Sequence, residues 1–188
     1  RPRHGRYRVV LGKRSGMTQI TTTLNRIRDC SPCTDEWPVL LAALGKVRAD
    51  DEPVTYARFV ETNGIQPALW AIRAEPELAA TWRLFAVACV RHFQHLLPDE
   101  RCLAALDVAE RHARGEAIDL KQADKDALQA LKEAAGSVTR DQQFAMDAAR
   151  FTVREDAVRA VEKTTNALAL ISGWEPIKTV FLAQVGGV

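Results

Sequence analysis

The sequence predicts an all-α protein, an irregular bundle of about seven helices with a buried central helix at about 76–97. Three observations lead there. Apolar residues recur at three- and four-residue intervals through most of the chain. Gly, Pro and Asn fall between these periodic segments, where helices start and stop. No stretch within 17–173 alternates apolar with polar residues as a half-buried strand does.

The elements follow in order. Ile20, Leu24 and Ile27 stand at i, i+4 and i+7 and predict a short first helix, despite three threonines of poor helix propensity. Thr34 offers an N-cap to a second, with Asp35 and Glu36 at its positive end, Pro38 in its first turn and Gly45 as its stop. The loop "KVRADDEP" leads into "VTYARFVETNG", closed by Asn63-Gly64, and Pro67 begins the short helix "PALWAIRA". From about Pro76 to Leu97, the residues Leu78, Trp82, Phe85, Cys89, Phe93 and Leu96 keep helical spacing. Its middle, Leu84–Val90, is apolar on every side, the mark of a buried helix.

Pro98 suits the first position of the next helix, which carries Cys102, Leu106, Ala109 and Ala113 on one face. Its other face offers the i, i+4 pairs Asp107–Arg111 and Glu110–Arg114. "DLKQADKDALQALKEAAG" is an amphipathic helix stopped at Gly136. Thr139 caps a long last helix to Gly173, with Phe144, Phe151, Val158 and Thr165 seven apart. The tail, 174–188, breaks the helical period, and the sequence places it in no element.

Charge divides the chain. Residues 1–16, "RPRHGRYRVVLGKRSG", hold six basic side chains and no acid, and the whole chain carries a net +2. Residues 17–188 hold 20 basic and 24 acidic residues, a net −4. Met17 followed by a polar "TQITTTL" reads as an ordinary start, and Arg14-Ser15 can be encoded AGG-AGN, a bacterial ribosome-binding sequence. Residues 1–16 are therefore expected to be leader, and 17–173 a single helical domain. The other reading is a genuine basic arm that contacts nucleic acid. The longest wholly apolar run is seven residues, against ~18–20 for a membrane span, so no membrane partner is expected. Four cysteines in this length make no disulfide framework, and a reducing cytoplasm is the expected compartment.

Few residues propose chemistry. Cys30 and Cys33 form a CxxC, and Cys89, His92, His95 and Cys102 could join them on zinc. A lone CxxC carries little, and Cys89 lies on the most apolar face of the central helix, where a thiol acts as a small hydrophobe. No metal or cofactor is predicted. His92 and His95 stand before Asp99 and Glu100, a corner that serves either as a general base or as a polar contact between helices. No phosphate loop, GxSxG or HExxH is present. Trp70 and Arg73 differ from these. Leu69 and Ile72 suffice to bury their helix, and Trp with Arg is the pair most enriched at binding hot spots.

The segments "TTLNRIRDCSPCTDEWPVLLAALGK", "DDEP", "NGIQPALWAIRA" and "RLFAVACVRHFQHLLPDERCLAALDVAERHARGEA" resemble small helical proteins of phages, prophages and bacteria with no assigned function. Residues 83–117 are also similar to all-α immunity proteins of polymorphic-toxin systems. The phage-type proteins continue into an Ala/Trp/Arg-rich repetitive helix, whereas this chain has the less repetitive 139–172. The resemblance implies a bacterial cytoplasm and a protein partner, and it assigns no catalytic residue.

The expected function is thus a non-enzymatic protein-binding module, with a contact surface around Trp70, Arg73, Arg91, His95, Asp99 and Glu100. A net −4 suits a basic partner. Nucleic-acid binding through 1–16, and an enzyme built on the His/carboxylate corner, are the alternatives.

Overall fold

The computed structural model describes residues 12–14 and 17–186, which form ten α-helices and four short strands. Strands β1 (Gly12–Arg14) and β2 (Met17–Gln19) pair antiparallel, Arg14 opposite Met17. The rest of the expected leader, residues 1–11, 15 and 16, lies outside the described residues.

The first predicted helix starts late. Thr21–Thr22 form β3, which pairs antiparallel with β4 at Val54–Thr55, and α1 covers only Leu24–Asp29. β-branched threonines favour this extended pairing over a helical turn. Thr23 then caps α1, its hydroxyl accepting from the Arg26 N–H at 3.2 Å. Ile20 is left outside, its carbonyl accepting from the Tyr56 N–H at 3.1 Å.

Helix α2 (Glu36–Ala43) begins after Asp35 rather than Thr34, and its N-cap makes no side-chain hydrogen bond. Helices α3 (Tyr56–Asn63) and α4 (Ile65–Ala71) meet at Gly64, whose φ of +85° a side chain would strain. Helix α4 starts two residues before Pro67, and a 3-10 turn at Ile72–Ala74 follows it. The helix expected at about 76–97, α5, is Ala79–His92, with 3-10 turns at Pro76–Leu78 and Gln94–Leu96 in place of its predicted ends.

Helix α6 (Glu100–Ala113) starts after Asp99, which caps it, so Pro98 precedes the helix instead of opening it. Helix α7 is Leu120–Ala134. The predicted long last helix is two: α8 (Arg140–Phe151), opened by a capping box of Thr139 and Gln142, and α9 (Ala157–Ser172). Between them Arg83 of α5, itself buried, donates to the Thr152 carbonyl and, at 2.9 Å, to that of Glu155. Those bonds satisfy carbonyls that a helix break leaves without partners. Ten helices stand among the described residues where about seven were expected, and the split of 139–172 and the tail account for two of the additional ones.

The tail is the largest correction. Residues Glu175–Val185 form α10, which packs on α5, α3 and α9 and buries Ile177, Phe181 and Val185. Phe181 stacks near-parallel on Trp82 at 6.4 Å between ring centroids and meets Phe85 and Tyr56 edge-on at 5.1 and 6.0 Å. All four rings are fully buried, and such pairs add about 0.5–1.5 kcal/mol each beyond the burial of their area. The polar tips are matched as well: Tyr56 Oη donates to the Ala71 carbonyl at 3.0 Å, and Trp82 Nε1 to that of Glu75 at 3.1 Å. Helices α8 and α9 pair with each other and pack on α5 beside this aromatic cluster.

Candidate functional site: a tryptophan-walled groove

Helix α4 turns Ile65, Ala68, Leu69 and Ala71 into the core, and Ile72 follows them. Trp70 and Arg73, three apart, share the flank that remains. The Arg73 guanidinium carbon lies 4.5 Å from the centroid of the Trp70 ring, and its Nε donates to the Trp70 carbonyl at 2.8 Å. The cation therefore holds the indole in one orientation while both remain half-exposed.

Facing them across a groove are Val158, Glu162, Thr165 and Asn166 of α9, and Trp174 closes one end. The hollow between the two tryptophans measures about 200 Å³. That exceeds the ~150 Å³ cavity able to hold benzene, and falls short of the ~300 Å³ at which small-molecule and cofactor pockets begin. It fits one large side chain. Arg73, Val158 and Glu162 also line a second hollow that continues along α9 past Pro76 to Asp156. Among the described residues neither Arg73 nor Glu162 takes part in an ion pair, so both charges are available to a partner.

The other sequence candidates lie elsewhere. Arg91 stands twelve residues along α5 from Ala79 of that second hollow, about 18 Å at 1.5 Å per residue. It ties α5 to α6 through Asp107 and Glu110, both at 2.8 Å. Asp107 is thereby taken from its expected partner Arg111, which pairs with Glu116 instead, while Glu110 keeps Arg114 at 2.7 Å. His95 is exposed in the turn after α5, and Glu100 is exposed in the first turn of α6. Asp99 is spent on structure. It accepts from the Arg101 N–H at 2.9 Å and holds the Arg101 side chain at 2.8 Å, and that arginine keeps its carboxyl below the ordinary range. Among the described residues no hydrogen bond joins His92 or His95 to a carboxylate; His92 is exposed and meets Phe93 edge-on at 5.1 Å.

The cysteines are dispersed in environment. Cys33 is exposed, Cys30 half-buried, and Cys89 and Cys102 buried. Burial pushes the Cys89 thiol far up and the Cys102 thiol up to about 11. Among the described residues no three His, Cys, Asp or Glu side chains are placed to share a metal ion. None of their helices is long and apolar enough to cross a membrane.

Two features were not legible in the spacing. Trp174 reaches the groove from the segment that breaks the helical period, and its one signal is a large aromatic directly after the Gly173 stop. Glu75 is buried with its carboxylate 2.9 Å from Arg26 of α1, which also holds Glu77 at 2.8 Å and the Ala74 carbonyl at 2.6 Å. Glu75 Oε1 and the nearby Thr22 hydroxyl are buried with no hydrogen-bond partner among the described residues, and burial pushes the Glu75 carboxyl up to about 7.

No protein-family model, curated protein or solved structure matches this chain.

Proposed function

We propose that the protein is a non-enzymatic binding module that receives a protein partner in the groove between Trp70 and Trp174. One observation carries this reading: Arg73 fixes a half-exposed indole over a hollow the size of one side chain, beside Glu162, and neither charge has an ion-pair partner among the described residues. Tryptophan and arginine in such a setting are the usual centres of binding energy, and the remaining surface chiefly excludes water.

The finer reading is a phage accessory factor or a toxin-immunity-like inhibitor acting in a bacterial cytoplasm. The resemblance of residues 83–117 and the acidic balance of residues 17–188 support it, since an acidic inhibitor steers toward a basic toxin. In this reading the apolar helix α5 serves as the rigid mount behind the groove.

The test is affinity capture with the tagged full chain in a bacterial lysate, washed at low and high salt, beside the Trp70→Ala, Trp174→Ala and His95→Ala variants. One protein held near stoichiometry by wild type and His95→Ala, and lost with either tryptophan, is the expected result. A partner held equally by all four chains would remove the groove from the function. Nucleic acid released at high salt would favour the arm at 1–16 instead.

A further inference from the structure

Helix α2 reads Glu-Trp-Pro-Val-Leu-Leu-Ala-Ala, apolar at every position after the first. A helix apolar on all sides belongs in an interior. This one buries only Leu40 and Leu41, and leaves Pro38, Val39, Ala42 and Ala43 exposed. Val39 is 67% exposed, and Val47, just past the helix, is 96% exposed. Among the described residues three large apolar side chains stand out in this way, and two of them are Val39 within α2 and Val47 just past it. Trp37, Pro38, Leu41 and Val47 line a groove of about 550 Å³ alongside. An apolar face so concentrated is the mark of a contact surface.

The charges around this face identify what covers it. Asp35 and Glu36 stand at the N-terminal end of α2, and Arg48 stands beyond its C-terminal end, beside the same groove. Among the described residues none of the three is ion-paired, whereas the other two cations lining the groove are held, Lys46 by Asp50 and Glu52 and Arg28 by Asp29 at 3.6 Å. Asp35 is not spent on capping either. Acid at one end, base at the other and an apolar middle make the patch complementary to its own copy turned end for end.

We propose that α2 is the two-fold interface of a homodimer, in which the α2 helices of two copies pack antiparallel. Val39, Ala42 and Ala43 meet their counterparts across the axis, as an isologous contact requires. Asp35 and Glu36 of one copy then face Arg48 of the other, and the opposed helix dipoles attract. The interface uses no residue of the Trp70–Trp174 groove and stands or falls separately from it.

Sedimentation equilibrium of the full chain, over about 1–200 µM, tests this. A monomer–dimer equilibrium is expected. Val39→Glu and Val47→Glu, each at a site exposed in the monomer and each checked by circular dichroism for an unchanged fold, weaken it at least ~tenfold. Glu36→Lys or Arg48→Glu alone also weakens it, and the two together restore it, because each copy then offers the exchanged charges. A monomer at every concentration, or a dimer indifferent to both valine substitutions, would overturn the proposal. Capture of a different protein on α2 by a monomeric chain would do the same. If the valine substitutions break the dimer but Glu36→Lys with Arg48→Glu fails to restore what either charge change alone loses, the antiparallel arrangement is overturned.

Discussion

The guanidinium of Arg83, in helix α5, donates a hydrogen bond to the carbonyl of Thr152, the residue that closes α8. A second bond, to the Glu155 carbonyl, holds the other side of the same break, and Asp156 then caps α9 by accepting from the Arg159 N–H at 3.0 Å. A buried charge here links three helices by meeting backbone groups that no helix can satisfy. Replacing Arg83 with Met leaves the buried Thr152 carbonyl unmet, at about 1–3 kcal/mol, and frees the part-buried Glu155 carbonyl at a smaller cost. Urea unfolding of Arg83→Met is expected to show a loss of about 1–4 kcal/mol, and Arg83→Lys a smaller one, since a single ammonium replaces a planar fork.

Phe181 gives the second prediction. It touches Trp82, Phe85 and Tyr56 from a helix at the far end of the described chain. Phe181→Ala should lower stability by about 3–5 kcal/mol, the range for removing a buried phenylalanine. Deletion from Glu175 onward should abolish the cooperative thermal transition, because it uncovers Trp82 and Phe85. A melting curve unchanged in either variant would show that α10 is not part of the core.

Glu75 sets a pH dependence. Burial disfavours the charged form and pushes its carboxyl up to about 7 from the ordinary 4.5. The fold thus favours the protonated group. The stability this contributes is fully present below about 4.5, falls as pH rises, and is gone above about 7. Glu75→Gln keeps the shape without the charge, so its denaturation midpoint should exceed that of wild type by more at pH 8 than at pH 5. A difference between the two proteins that stays constant with pH would count against this account.

Arg73 and Trp70 should be energetically coupled, though modestly. A cation over an indole at a half-exposed site contributes about 0.5–1 kcal/mol. A double-mutant cycle of Trp70→Leu and Arg73→Ala, read by urea unfolding, should return a coupling of that size. The same two substitutions should cost far more in partner binding than in stability. Equal losses in both would mean that the pair serves the fold alone.

Thiol chemistry offers an inexpensive check. Cys33 is exposed, while Cys89 is buried with its thiol pushed far up. A disulfide reagent at pH 8 should modify Cys33 first and Cys30 more slowly, because partial burial raises the Cys30 thiol. Cys89 and Cys102 should react only through opening of the fold, and therefore faster in urea. Rapid native labelling at Cys89, located by peptide mass, would contradict the packing of α5.

Local signals settled a definite part of this molecule. Apolar residues three and four apart made the chain helical, and Thr139 announced a cap that the structure forms. Trp70 and Arg73 were legible because two neighbours already buried their helix, leaving both side chains for the flank. Four decisions rested on residues far apart in the chain. The threonines at 21–23 left the helix because Val54–Thr55 offered a strand to pair with, some thirty residues away. Residues 139–172 broke in two where Arg83, about seventy residues earlier, met the freed carbonyls. The tail entered the core because Tyr56, Trp82 and Phe85 left room for Phe181. Trp174 joined the groove because α9 and α10 meet there, and Arg91 left it because Asp107 and Glu110 of α6 claimed it. Periodicity reports only which face of an element is apolar; what meets that face, and which charge finds which, depends on distances in space that no spacing along the chain encodes.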